Sequence, residues 1–344
     1  MSSLRPREDD VVPEKDPAAE EHTIKLDRSV LELDCAAEVD RISALLQARI
    51  VDTWHRKGGV VAMSGGVDSS VVATLAVHAL GKDRVLGLFL PERDSSPDSL
   101  RLARLVADQL GIETVMQDIA PALEALGCYS VRNDAVRRAV PEYTPECKFS
   151  IVLPGNRLDS KALNFFSVVV ELPDGQQIKK RLGLREYLSI VAATNFKQRT
   201  RKMIEYFHAD RLNYAVLGTP NYLEYDLGFF VKGGDGLADI KPIAHLYKTQ
   251  VYALAEHLDV PAEIRARPPT TDTYSLGQSQ EDFYFALPYN LMDLFLYAKN
   301  HDLSPAEAGA ALGYTEEQAR WVYWDIEQKR SYAQYLHQPP ILLT

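Results

Sequence analysis

The sequence predicts an α/β fold: a doubly wound parallel sheet with a small β insertion and a helical C-terminal part. Three observations predict it. Short apolar runs alternate with amphipathic stretches over residues 59–118, a glycine loop joins the first run to the first of those helices, and the alternation breaks near residue 145 before it resumes. Strands that carry helices on both faces are buried on both sides, so they read as unbroken apolar runs.

Residues 1–22 are rich in charge and proline with almost no apolar periodicity, which predicts a mobile tail. Leu45, Leu46, Ile50 and Trp54 recur at helical spacing until Gly58-Gly59 ends the helix. Gly59 to Met63 is the first strand and Ser69 to Leu80 the helix after it. Arg84 to Leu90 is the second strand, Ser99 to Leu110 the next helix and Glu113 to Asp118 the third strand. Between about 145 and 190 lie the runs Phe149 to Gly155 and Phe165 to Leu172; the second ends in the turn signal Pro173-Asp174-Gly175, followed by Gln176-Gln177-Ile178, and the pattern predicts a small antiparallel insertion. Helix resumes near Thr194, and Tyr214 to Leu217 returns to strand. From Gln280 the chain is mostly helical, most clearly at Ala306 to Leu312 and Glu316 to Tyr335. These boundaries give one main domain over 23–279 with a helical extension of it over 280–344.

Composition excludes several classes. No apolar run is long enough to cross a bilayer, and the charged N-terminus is unlike a signal peptide. Three widely spaced cysteines, Cys35, Cys128 and Cys147, form no C-x-x-C pair and read as reduced residues of a cytoplasmic protein. A net charge of −10 opposes nucleic-acid binding, and basic clusters such as Lys179-Lys180-Arg181 are short solvated faces in an acidic whole.

The loop Ser64-Gly65-Gly66-Val67-Asp68-Ser69-Ser70 carries the chemistry. A loop that leaves a strand and opens a helix turns backbone N–H groups and the positive end of the helix dipole toward an anion. The glycines let the backbone approach phosphate, and Ser69 and Ser70 add hydroxyls. Asp68 cannot donate to phosphate, so its expected task is to hold magnesium. The spacing is neither that of a kinase-type P-loop nor that of a dinucleotide fold.

S-G-G-x-D-S resembles the signature of the ATP pyrophosphatase superfamily, whose sheet is of the adenine nucleotide alpha hydrolase-like type. Four later segments narrow the resemblance. Gly218-Thr219-Pro220-Asn221 through Gly236, Leu246-Tyr247-Lys248-Thr249-Gln250-Val251, Arg267-Pro268-Pro269-Thr270-Thr271-Asp272 and Asn195 to Arg201 are together similar to ammonia-dependent NAD synthetases. The resemblance covers about residues 40–125 and 190–330. It implies that Ser64 to Ser70, Thr219, Lys248 and Thr270 bind ATP, and that Asp68 and Glu224 hold magnesium. It also implies that Asn195, Arg199, Lys232 and Asp235 contact the substrate, and that Asp68, Lys248, Thr270 and Asp272 serve catalysis, the last two on a loop that closes over the site.

The implied reaction has two steps: a carboxylate attacks the α-phosphorus of ATP, and ammonia then displaces AMP from the acyl-adenylate. Positioning and charge stabilisation suffice, without a side-chain nucleophile. The expected substrate is deamido-NAD, with amidation of a different carboxylate by a diverged relative as the alternative. No glutaminase unit is visible, so ammonia comes from solution or from a separate glutaminase. A homodimer is implied by resemblance alone. Val231, Gly233 and Gly236-Leu237 depart from the family pattern where the substrate is recognised, and the 145–190 insertion has no counterpart in compact members. A non-catalytic nucleotide-binding protein is the reading from another class, opposed by the joint presence of Asp68, Glu224 and Lys248. A tRNA-modifying thiolase of the same superfamily would need a reactive cysteine and a basic surface.

Overall fold

The structure is a computed structural model and describes residues 26–152, 166–268, 274–277, 284–285 and 287–343. The expected tail and the Thr270 and Asp272 positions lie outside these residues.

Helix α1 (Cys35–Gln47), capped by the Asp34 carboxylate, continues through a wider π turn over 48–53 into strand β1 (Gly59–Ala62). Helix α2 (Val67–Leu80), strand β2 (Val85–Phe89), helix α3 (Pro97–Leu110) and strand β3 (Glu113–Met116) follow. Short helices α4 (Ala120–Ala125) and α5 (Cys128–Ala139) precede the insertion, and α6 (Leu184–Leu212) leads into strand β7 (Ala215–Leu217). Strands β1, β2, β3 and β7 form one parallel sheet in the order β3-β2-β1-β7. Neighbouring residues alternate between its two covered faces. Val61, Val85 and Leu217 pack with α1, α2 and α3, whereas Val60, Leu86 and Val216 pack with α4, α5 and α6. The doubly wound parallel sheet is therefore present as expected.

The insertion is a separate antiparallel sheet, β4 (Lys148–Val152), β5 (Ser167–Glu171) and β6 (Gln177–Arg181). Val170 stands opposite Ile178, and Gly175 makes the β5–β6 turn with φ +86°. Phe149 on β4 accepts at its carbonyl from Leu276 N (3.0 Å) and donates from its amide to Ser275 Oγ (3.0 Å), so β4 also holds residues 274–276.

Helix α6 begins at Leu184, ten residues before the position the sequence pattern suggests, because its amphipathicity is inverted. Lys197, Lys202, Glu205 and His208 are buried while Leu184, Leu188, Met203 and Phe207 are exposed. After β7 come α7 (Tyr222–Leu227), α8 (Lys248–His257) and α9 (Ala262–Ala266), then α10 (Tyr289–Asn300), α11 (Pro305–Leu312) and α12 (Glu316–His337). The last three share a core of their own with α7. Among the described residues no helix is long and apolar enough to cross a membrane, and the three cysteines form no disulfide.

Candidate active site

Parallel strands leave the sheet on one edge, and the site is built there. Gly66 caps α2 in extended backbone, and Gly65 sits at φ +77° with no room for a side chain. A Cβ on Gly65 would lie 2.2 Å from the Ser99 carbonyl of α3, so only glycine closes this turn. The serines brace the loop: Ser69 Oγ (3.0 Å) and Ser70 Oγ (2.9 Å) both donate to Gly66 O, and Gly66 N donates to Ser64 Oγ (3.3 Å). Ser64, Gly66, Asp68 and Ser69 line a cavity of about 240 Å3, while Gly65, Val67 and Ser70 lie behind it. Ser70 thus shapes the loop rather than facing the cavity.

The end of β7 supplies the opposite wall, with Thr219 and Glu224. Glu224 is fixed by a capping box on α7, in which its amide donates to Asn221 Oδ1 (3.1 Å) and Asn221 N donates to its carboxylate (3.3 Å). The side-chain amide of Asn221 then donates to Asp68 Oδ1 (3.1 Å), joining the two halves of the site. The other oxygen of Asp68 takes the ammonium of Lys248, whose side chain is fully buried. Burial and the nearby Asp68 charge push the Glu224 carboxyl up to about 8, with Lys248 opposing them. For Lys248 burial alone would lower the pKa, but Asp68 and Glu224 outweigh it and hold the ammonium above its ordinary value. Two acids thus converge on one buried cation. Oxygen ligands of this kind suit a hard divalent ion, so the donor set of Asp68 and Glu224 fits magnesium.

Lys248 opens α8, and that helix start is held from α10. Asp293, fully buried, accepts from Thr249 N (2.8 Å), Thr249 Oγ1 (2.9 Å) and Lys248 N (3.4 Å). Burial pushes its carboxyl up to about 6, the bonds to Thr249 and Lys248 offsetting only part of the effect. The folded chain then holds this proton between about pH 4 and 6, where an unfolded chain has lost it, so this group's contribution to stability falls as pH rises. Relative to wild type, Asp293→Asn is expected to gain roughly 2–3 kcal/mol of stability between about pH 4 and pH 6.5. Denaturant melts across that range check this, and a pH-independent difference would refute it.

The far end of the cavity carries Gln198 and Arg201 from the Asn195 to Arg201 segment, beside the expected Asp235, together with Lys202 and Glu205 of α6, which no sequence motif announced. Lys202 Nζ pairs with Glu205 at 2.6 Å in a buried setting. Burial raises the Asp235 carboxyl, although it accepts from Val231 N at 2.9 Å. The inverted polarity of α6, with charges inward, is the signal that marks these residues. Asn195, Arg199 and Lys232 do not line the cavity. Arg199 is exposed and its Nε donates to Lys232 O (3.1 Å), while Lys232 Nζ donates to the carbonyls of Tyr335 (2.8 Å) and Gln338 (2.9 Å) at the end of α12.

A phosphate-seeking loop at the sheet's ligand edge, faced by acids able to hold a hard cation, is what an enzyme that cleaves ATP next to its α-phosphate needs. Fold and site together define that class of nucleotide-binding α/β enzyme. Within it, the chain belongs to the NAD synthase family, whose model matches residues 38–139 and 163–336 and leaves 140–162, which include β4, unmatched. The chain is 58% identical over 313 residues to the NH(3)-dependent NAD(+) synthetase of Mesorhizobium japonicum, covering 91% of this chain and 98% of that protein. It is 38% identical to the synthetase of the same description from Thermotoga maritima, covering 74% and 85%. Two solved structures share the fold. One is described as an NMN synthetase from Francisella tularensis (TM-score 0.63, 23% identity, 91% and 99% covered). The other is an NH3-dependent NAD synthetase from Campylobacter jejuni (TM-score 0.58, 20% identity, 91% and 100% covered).

Proposed function

We propose that the chain is an ATP-dependent amide ligase that converts deamido-NAD, ATP and ammonia to NAD, AMP and pyrophosphate. The observation that carries this is the convergence of Asp68, Glu224 and Lys248 on the glycine loop, in a chain whose relatives are described as ammonia-dependent synthetases. The loop amides and the start of α2 hold the phosphates. Magnesium, when held by Asp68 and Glu224, neutralises phosphate charge. Lys248 sits where charge accumulates on departing pyrophosphate, and Asp293 keeps the start of its helix in place. The substrate carboxylate attacks the α-phosphorus, and ammonia then attacks the activated carbonyl and expels AMP. By resemblance, Thr270 and Asp272 join the site from the 269–273 segment.

Product analysis tests the reading. Deamido-NAD, ammonia and magnesium-ATP should yield NAD, AMP and pyrophosphate in equal amounts. Release of ADP and phosphate, or amidation of another carboxylate at much higher kcat/KM, would overturn it.

The protein is further read as a cytoplasmic homodimer. The exposed stripe on α6 places Leu184, Leu188, Met203 and Phe207 along one face with Arg199, at 74, 53, 63 and 62% exposure for the four apolar residues. An apolar face of this kind commonly marks an association surface. Asn195 and Arg199, absent from the cavity of their own chain, would serve a substrate there if a second copy presented them. Phe207→Glu should shift the protein to monomers in sedimentation and lower kcat/KM for the dinucleotide. A fully active monomer would rule out the shared pocket. The three cysteines carry no bond to one another, which suits a reducing compartment.

A further inference from the structure

Behind the cavity wall lies a buried ionic cluster that the proposed reaction does not use. Lys197 on α6 is 2.8 Å from Glu92 and 2.6 Å from Asp94, and Arg132 on α5 pairs with the same Asp94. All four side chains are at most 7% exposed, and their charges cancel. Tyr129 Oη donates to Glu92 (2.8 Å), and the Arg132 guanidinium lies 5.0 Å from the Tyr129 ring centroid and 5.3 Å from that of Phe149. Phe149 belongs to β4, inside the segment the family model leaves unmatched.

Glu92 and Asp94 flank Arg93 on the loop that follows β2. The next residues of that loop, Ser95 and Ser96, line the cavity, as does Pro91 before it. Glu92 also closes the loop on itself, its amide donating to Ser95 Oγ (3.1 Å) and its carbonyl accepting from Ser95 N (3.0 Å). Desolvating four charges is costly, and a cluster like this one is worth little as net stability against an apolar replacement. What it does supply is a fixed position for the backbone that bears its two acids.

We propose that Arg132 and Lys197 are positioning residues for ATP: they clamp Glu92 and Asp94 from behind, set the 91–96 wall of the cavity, and tie that wall through Phe149 to the inserted β sheet. This rests on the reading of the cavity as the ATP site. It gives the insertion a role in nucleotide binding. The arrangement is a static brace, and no second conformation is needed for it to act.

Steady-state kinetics of the full chain test it with Arg132→Met, Asp94→Asn and Phe149→Leu. Lys329→Met serves as the control, because Lys329 pairs with Asp325 at 2.5 Å in a comparably buried site on α12. Arg132→Met and Asp94→Asn should raise the KM for ATP about tenfold with kcat at saturating ATP within about threefold, and Arg132→Lys should restore part of the loss. Phe149→Leu should move KM in the same direction by about threefold. Lys329→Met should lower Tm and leave KM for ATP unchanged. If Arg132→Met lowers Tm but leaves KM within about twofold, the cluster is structural only and the proposal falls. Should Arg132→Met fail to fold, the near-isosteric Asp94→Asn decides on the same criterion. Wild-type enzyme that releases ADP instead of AMP refutes the reading of the cavity. Wild-type enzyme that releases AMP while the variants keep its KM refutes the positioning role alone.

Discussion

Asp68→Asn is expected to lower kcat/KM by about a thousandfold or more while the chain keeps its fold. Asn has the shape of Asp and still accepts from the Asn221 amide, which lies 3.1 Å from Asp68 Oδ1. What it lacks is the charge that pairs with Lys248 and that would hold magnesium. Removing one partner of a buried ion pair commonly costs 3–5 kcal/mol, because the other charge is stranded. Here Glu224 stands by. Asp68 is one of the causes that raise its pKa and Lys248 opposes them, so without the Asp68 charge Glu224 ionises more readily and takes over as counter-charge. Loss of turnover should therefore far exceed loss of stability. Initial rates of AMP release beside thermal melts check it, and a variant with more than about a tenth of wild-type turnover contradicts the role.

Lys248→Met should damage both properties. Met keeps much of the stem but not the ammonium, which lies over the rings of Tyr252 and Tyr289, with their centroids 5.8 and 5.6 Å from Nζ. It leaves Asp68 and Glu224 facing each other with no cation between them. Turnover should fall about a hundredfold to ten-thousandfold, the range expected when a group that stabilises developing charge is removed. The stability loss should depend on pH with a definite sign. Glu224 already holds its proton to about 8, well above an unfolded Glu, and loss of Lys248 raises that further. A protonated Glu224 does not repel Asp68. The variant should then lie nearest to wild type at pH 6 and fall further below it as pH rises toward 9. A stability gap that is constant across that range would refute the coupling of the three groups.

Much of the scaffold was legible from local pattern. The strands at Gly59, Val85 and Glu113 and the helices between them follow from apolar runs and turn residues, and the observed bounds differ by at most two residues at either end. The β5–β6 hairpin follows from Pro173-Asp174-Gly175, because few residues other than glycine accept the φ of +86° found at 175. Helix α6 misled the pattern because it buries its charges and exposes its leucines, the reverse of what the hydrophobic rule expects. The same inversion concealed Lys202 and Glu205. Asn221 entered the sequence reading only as one residue of the Gly218 to Gly236 segment, and Asp293 belonged to no segment singled out; neither context says what the side chain will meet.

The sequence by itself determined the glycine loop between the first strand and helix, the parallel α/β class and the family, since each depends on short segments whose residues sit next to one another along the chain. Only the tertiary structure decided that Lys248 meets Asp68 across 180 positions. It also decided that Asn221 bridges the two acids, that Ser70 braces the loop from behind, and that Asn195, Arg199 and Lys232 stand outside the cavity of their own chain. The physical reason lies in strand order. Placing β1 between β2 and β7 brings the ends of early and late strands to one edge of the sheet, and no local periodicity encodes which strands become neighbours.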